Sequence, residues 1–135
     1  MVRGIAHVCL RVADLERTRR FYCDGLGLER AFDFQRDGET IGFYLEAGNG
    51  GFVEFFRADA APAGAFPLDH FCLEVDSIDV LRERLSAAGY PLGPKSLGAD
   101  HAWQAWITDP DGARIEFHEY CADSCQNTGA TCILK

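Results

Sequence analysis

Two histidines and two glutamates recur at matching places in two similar stretches of this chain, and imidazole with carboxylate is a donor set for a divalent metal. His7 opens His7-Val8-Cys9-Leu10-Arg11-Val12, and His70 opens His70-Phe71-Cys72-Leu73-Glu74-Val75. Glu54 sits in Gly51-Phe52-Val53-Glu54-Phe55-Phe56, and Glu116 in Arg114-Ile115-Glu116-Phe117-His118. A bare carboxylate in such apolar surroundings is costly, and two that face each other repel unless one is protonated or a cation lies between them. One divalent ion per chain, held by His7, Glu54, His70 and Glu116, removes both costs. The mixed N/O set suits Ni, Co, Zn, Mn or Fe better than Ca. Two open positions on a six-coordinate ion leave room for waters or a bidentate substrate. Taken singly, each residue has a plainer reading. A histidine at a strand start is usually a hydrogen-bonded structural residue, and either glutamate could pair with Arg11 or Arg114. The duplicated placement of all four favours ligation. His118 shares the face of Glu116 and is read as a pocket-lining residue, with proton carrier or spare ligand as its other roles. His101 belongs to a loop.

The elements that must position these groups follow from periodicity. From Gly4 to Val12 the alternation is that of a strand, with His7, Cys9 and Arg11 on one face and Val8, Leu10 and Val12 on the other. Asp14 caps a helix running to about Tyr22, whose apolar side carries Leu15, Thr18, Phe21 and Tyr22. Strands are expected near 29–34, 40–46 and 51–57, with Asp37-Gly38 and Asn49-Gly50 as turns between them. The Ala-, Asp- and Pro-rich stretch 58–67 reads as a linker. The same grammar then repeats. A strand over 69–75 is followed by a helix capped by Asp76 or Ser77 and running through Ala88. Strands near 90–93, 102–108 and 113–120 complete the second half, with Asp109-Pro110-Asp111-Gly112 as the last turn. The runs that begin at His7 and His70 align without a gap, and the His-to-His and Glu-to-Glu spacings differ by one position. The chain is therefore an α+β duplication of a βαβββ unit, in a single domain over 1–120: module one 4–57, the linker 58–67 and module two 68–120. Repeats of this kind bury their apolar faces against one another.

With 135 residues and 47% hydrophobic content there is material for one modest core. The formal charge of -8 argues against nonspecific DNA or RNA binding, which needs a basic surface, and weakly against a strongly anionic substrate. No apolar run is long enough to cross a bilayer. The start lacks the pattern of a secretory signal, so a cytoplasmic, reducing location is expected, where six cysteines need not form disulfides. Cys9 and Cys72, set in alternating apolar runs, are read as core thiols. The tail 121–135, with Cys121, Cys125 and Cys132, is read as a mobile extension or one that packs on a partner subunit.

The residues from His7 to Val12, continuing through Asp14-Leu15 to Phe21-Tyr22 and Leu26-Gly27-Leu28, resemble the N-terminal signature of glyoxalase I. Asp109-Pro110-Asp111-Gly112 followed by Ile115-Glu116-Phe117 looks like the usual ending of the vicinal oxygen chelate superfamily, the group of glyoxalases, bleomycin-resistance proteins and ring-cleaving dioxygenases. The resemblance covers about Ile5 to Tyr120 and implies two βαβββ modules curled into a half-barrel around a metal, in a homodimer. It implies His7, Glu54, His70 and Glu116 as ligands, the full set of bacterial-type glyoxalase I. Dioxygenases and fosfomycin-modifying members generally use His, His and Glu, and methylmalonyl-CoA epimerase typically has Gln where Glu54 stands.

The implied chemistry is isomerisation of a small vicinal-oxygen substrate through an enediolate, for glyoxalase I the hemithioacetal of methylglyoxal and glutathione. Glu116 and Glu54 are the implied acid–base residues. Arg11 matches an arginine that helps hold glutathione. Ala58 stands where the family has an asparagine for glutathione, and Gly98-Ala99-Asp100-His101-Ala102-Trp103 lacks the usual glycine and lysine for its glycyl carboxylate. Phe52, Phe56, Trp103 and Trp106 suggest a more apolar substrate than glutathione alone, with Arg11 and His118 as further candidate substrate-binding residues. The alternatives are an epimerase on another oxygenated molecule, a ring-cleaving dioxygenase and a bleomycin-resistance-type binding protein. The last has no reason to keep two buried carboxylates.

Overall fold

The computed structural model describes residues 7–58, 70–130 and Cys132. The chain divides into two compact units, Met1–Pro67 and Leu68–Lys135, which correspond to the two modules. The linker 58–67 beyond Ala58, the residues before His7, and Leu68 and Asp69 lie outside the described residues.

Module one runs β1 (His7–Val12), α1 (Leu15–Arg19), a π-wound segment (Arg20–Gly25), β2 (Glu29–Arg36), β3 (Glu39–Glu46) and β4 (Phe52–Arg57). Its sheet has the order β1-β4-β3-β2, with β1 parallel to β4 and the other neighbours antiparallel. Asp14 starts the helix, its carboxylate accepting from the Arg17 N–H at 3.0 Å, which satisfies one of the donors that a helix leaves orphaned. The helix changes winding at Arg20, where periodicity predicts a plain α-helix to about Tyr22. Leu26 N–H donates to Phe21 O at 3.0 Å, five positions back instead of the four of an α-helix. The wider turn brings the sequence neighbours Phe21 and Tyr22 toward one face, and both are buried. They meet the inner row Leu10, Val12, Phe43, Leu45, Val53 and Phe55, with the Tyr22 and Phe55 ring centroids 4.5 Å apart. Alternation then sends His7, Cys9, Arg11, Phe52, Glu54 and Phe56 to the opposite face of the sheet.

Module two repeats this plan as β5 (Phe71–Glu74), α2 (Ile78–Ala87), β6 (Ser96–Leu97), β7 (Trp103–Thr108) and β8 (Arg114–Glu119), in the order β5-β8-β7-β6. Ser77 caps α2 by accepting from the Val80 N–H at 3.3 Å. Ile78, Leu81 and Leu85 fill the space over Phe71, Ala105, Ile115 and Phe117, all buried. The duplication is visible in the register: Cys9 pairs with Glu54 and Cys72 with Glu116.

Three expectations need correction. No strand forms over 90–93. Pro91 and Pro94 lack N–H donors, a single bond from Gly93 N–H to Trp106 O (2.9 Å) survives, and pairing resumes only at the two-residue β6. Cys9 and Cys72 are not core thiols, because the alternation that places them beside His7 and Glu116 keeps them off the helix-covered side and accessible. The tail through Ala130 is not a free extension. It forms α3 (Cys125–Thr128) and docks on the loop between β6 and β7 of its own module. Ser124, fully buried, donates to His101 O at 2.9 Å and accepts from Cys121 N–H at 2.8 Å. Cys125 N–H donates to Asp100 O at 2.8 Å.

Candidate metal centre

Each sheet brings one imidazole against one carboxylate. In module one His7 lies at the start of β1, and Glu54 reaches it from the neighbouring strand β4, with His7 Nε2 3.6 Å from Glu54 Oε2. In module two the corresponding atoms of His70 and Glu116 are 3.2 Å apart. The glutamate side chains are only 15% and 10% exposed, so each carboxylate has given up most of its hydration. A nitrogen that points its lone pair at a carboxylate is unfavourable. The imidazole must carry a proton there, or a cation must bind both, and the donor chemistry of the two pairs fits a divalent ion.

The neighbours of the two pairs differ. In module one His7 Nδ1 is 2.7 Å from the Tyr44 hydroxyl. Tyr44 lies on β3 directly across from Glu54, and burial together with the Glu54 carboxylate holds its phenol above the ordinary value. Around it the outward face is aromatic. Phe32 stacks on Tyr44 at 4.7 Å, Phe52 lies 5.0 Å from it, and Phe34 meets Phe56 at 4.6 Å. The Arg11 guanidinium lies 5.5 Å from the Phe56 ring centre. Gly42 stands across from Phe56 on β3, and a Cβ there would run into the Phe56 ring and the Phe55 carbonyl. The missing side chain is what lets that ring lie over the sheet.

In module two the second oxygen of Glu116 is also engaged. His118 Nε2 lies 3.1 Å from Glu116 Oε1, with the His118 side chain 11% exposed. His70 meets Trp106 edge-on with ring centroids 4.8 Å apart, and the Arg114 guanidinium lies over the same Trp106 ring, 4.7 Å from its centre. Trp103 does not join this face. It stands an odd number of positions from Trp106, so alternation turns it to the helix side. There it pairs with Glu119, and Lys95 lies 5.3 Å from its ring centre. The expectation that Trp103 lines the same surface as Trp106 is thus corrected. His101 sits in the loop with a φ of 61° and contacts Asp123 of the docked tail at 2.9 Å.

Sequence reasoning missed Tyr44, Phe32 and Phe34 as members of these faces, and it read Cys9 and Cys72 as core thiols although alternation sets both beside the histidines. The signal was available, since alternation from Glu54 through the Asn49-Gly50 turn reaches Tyr44. The two thiols are raised, chiefly by partial burial and then by the adjacent carboxylates, Cys9 to about 11 and Cys72 to about 12. Both are therefore thiols at neutral pH, able to donate weakly to Glu54 and Glu116.

A cleft of about 360 Å³ in module two is lined in part by Trp106 and Arg114, and a larger one lies away from the pairs. The larger, of about 630 Å³ and lined among others by Asp14, Arg19, Arg30 and Arg57, lies in module one and excludes both His7 and Glu54. No helix among the described residues is long and apolar enough to cross a membrane.

Residues 4–117 match the family model of the Glyoxalase/Bleomycin resistance protein/Dioxygenase superfamily. The chain belongs to this superfamily. Within it the chain is 30% identical over 132 residues to lactoylglutathione lyase of Haemophilus influenzae, covering 85% of this chain and 91% of that one. It is 29% identical to a probable lactoylglutathione lyase of Vibrio parahaemolyticus, covering 83% and 87%. Among solved structures, a glyoxalase family protein from Enterococcus faecalis matches with a TM-score of 0.72 at 27% identity, covering 87% of this chain and 98% of that one. The superfamily's resemblance drawn from the sequence and its α+β fold of two βαβββ modules are thereby shown, and a glyoxalase-type kinship with them.

Proposed function

We propose that this superfamily member is a metal-dependent isomerase or lyase of the glyoxalase type, with His7, Glu54, His70 and Glu116 serving one divalent ion per chain. The observation that carries the reading is the repeated pair: an imidazole Nε2 facing a desolvated carboxylate at the same register of both sheets. Kinship with lactoylglutathione lyases supports the reaction class. Bound there, the ion supplies Lewis-acid stabilisation of negative charge that develops on two adjacent substrate oxygens.

The chain itself supplies proton transfer. One of the two glutamates takes the proton from the carbon beside the substrate carbonyl, and the same or the other glutamate returns a proton to the neighbouring carbon, so the net change is isomerisation through an enediolate. His118, in contact with Glu116 Oε1, orients that carboxylate and leaves Oε2 directed at His70. Phe52, Phe56 and Arg11 in module one, and Trp106 in module two, lie on the carboxylate faces and suit a substrate with an apolar part beside its oxygens. A methylglyoxal–thiol hemithioacetal fits this description, and a homodimer is the assembly we expect.

The test is elemental analysis of protein loaded with Ni, Co, Zn, Mn or Fe, followed by isomerase assays against a panel of hemithioacetals. About one ion per chain and activity in the loaded form are expected, with Glu116→Gln slower by at least about tenfold. Equal turnover by the chelator-stripped protein would overturn the reading.

A further inference from the structure

The two modules are not equivalent where it matters for metal chemistry. Alternation and register place Cys9, Glu54 and Phe56 on the outward face of module one, and Cys72, Glu116 and His118 at the corresponding places in module two. A ring that cannot donate is thus exchanged for an imidazole. In module two the Cys72 thiol, a Glu116 oxygen and a His118 nitrogen all lie within 4.8 Å of one another. Glu116 divides its oxygens, Oε2 toward His70 at 3.2 Å and Oε1 toward His118 Nε2 at 3.1 Å.

We propose that Cys72 Sγ, a Glu116 carboxylate oxygen and a His118 ring nitrogen form a position for a thiophilic divalent ion, carried by module two alone and separate from the four-donor reading above except in sharing Glu116. Donors bound at about 2.0–2.3 Å from zinc in tetrahedral geometry stand about 3–4 Å apart. A set inside 4.8 Å therefore closes on an ion through side-chain adjustment, without backbone movement. The backbone is already fixed, because Cys72 and Glu116 are register partners on adjacent parallel strands and His118 follows on the same face of β8. Glu116 and His118 are largely withdrawn from solvent, which limits the hydration the pair must lose on binding. A thiolate in the set selects zinc, cadmium or cobalt over magnesium, manganese or calcium. The proton of the Cys72 thiol leaves as the sulfur–metal bond forms, and the ion supplies the balancing charge.

Cadmium or cobalt titrated into the full chain tests this through thiolate-to-metal charge-transfer absorption, with X-ray absorption of the loaded wild-type protein counting sulfur donors. One metal–sulfur contact per chain is expected, together with a charge-transfer band whose saturated amplitude corresponds to one thiolate per chain. The band should vanish in Cys72→Ser, its midpoint should weaken about 10- to 100-fold in His118→Gln, and it should persist in His7→Gln and in a Cys121, Cys125, Cys132 triple serine variant. No sulfur in the wild-type spectrum, or a band that survives Cys72→Ser, overturns the proposal, and the wild-type measurement decides even if that variant fails to fold. A Cys72-dependent band in a protein with no isomerase activity supports this position while removing the proposed reaction. A sulfur-free ion whose binding is lost in His7→Gln does the reverse.

Discussion

The Tyr44 hydroxyl lies 2.7 Å from His7 Nδ1, on the side of the ring away from Glu54. For Nε2 to ligate a metal, Nδ1 must carry the ring proton and give it to an acceptor, and the Tyr44 oxygen is that acceptor. Tyr44→Phe keeps the ring packed among Phe32, Phe34 and Phe52 but removes the hydrogen bond. Metal affinity should fall by about tenfold or more, measured by calorimetric titration, with little change in melting temperature of the metal-free protein. An unchanged affinity would mean that His7 is held in place by something else.

Metal removal gives a second prediction. An ion that binds the folded chain alone stabilises it by about 2.7 kcal/mol at a hundredfold excess over Kd. Melting of the loaded protein should therefore drop on addition of a chelator. The double variant Glu54→Gln, Glu116→Gln should show no such drop, since each pair keeps only a neutral amide beside its imidazole. A chelator-sensitive melt in the double variant would assign the ion elsewhere.

The docked tail is tested at Ser124, whose hydroxyl joins Cys121 N–H to the His101 carbonyl with no exposure to solvent. Ser124→Ala leaves both partners unsatisfied in a buried place and should cost about 1–3 kcal/mol. Hydrogen exchange should accelerate over 121–130 before any other part of module two. Uniform exchange with the wild type would mean that the tail is held by Asp100 and Cys125 without the hydroxyl.

Much of this was legible because strand alternation is a strict period of two. Fixing the register of Glu54 and Glu116 from their apolar neighbours was enough to bring each to its histidine. What was not legible has local causes. The prolines that displaced the strand over 90–93 were visible, but the pattern of apolar residues there outweighed them. The π-wound turn at Phe21 and Tyr22 answers a packing demand from Phe55 that no local signal announces. The thiols Cys9 and Cys72 were assigned by their usual preference for cores, although their own alternation already put them beside the carboxylates. Trp103 was grouped with Trp106 by chemistry when an odd spacing forbade it. Composition reads the tail as a mobile extension or a partner contact, and its anchoring by the buried Ser124 hydroxyl together with Asp100 and His101 has no local signature.

The last prediction concerns the helix-facing side of module two. Glu119 Oε2 accepts from the Ile78 N–H at 2.7 Å, at the N-terminus of α2, and from Lys95 Nζ at 2.9 Å. The backbone N–H first, and then Lys95, hold its carboxyl below the ordinary glutamate value. A folded-state value that is depressed means that the carboxylate's contribution is present above the unfolded value, near 4.5, and is lost as pH falls through the folded one. Glu119→Gln should therefore destabilise module two at neutral pH by about 1 kcal/mol, with the side chain 23% exposed and partly screened. The difference from wild type in urea unfolding should shrink as pH is lowered below 4.5 and vanish once both forms are neutral. A gap that stays constant down the acid limb would assign the loss to packing rather than charge.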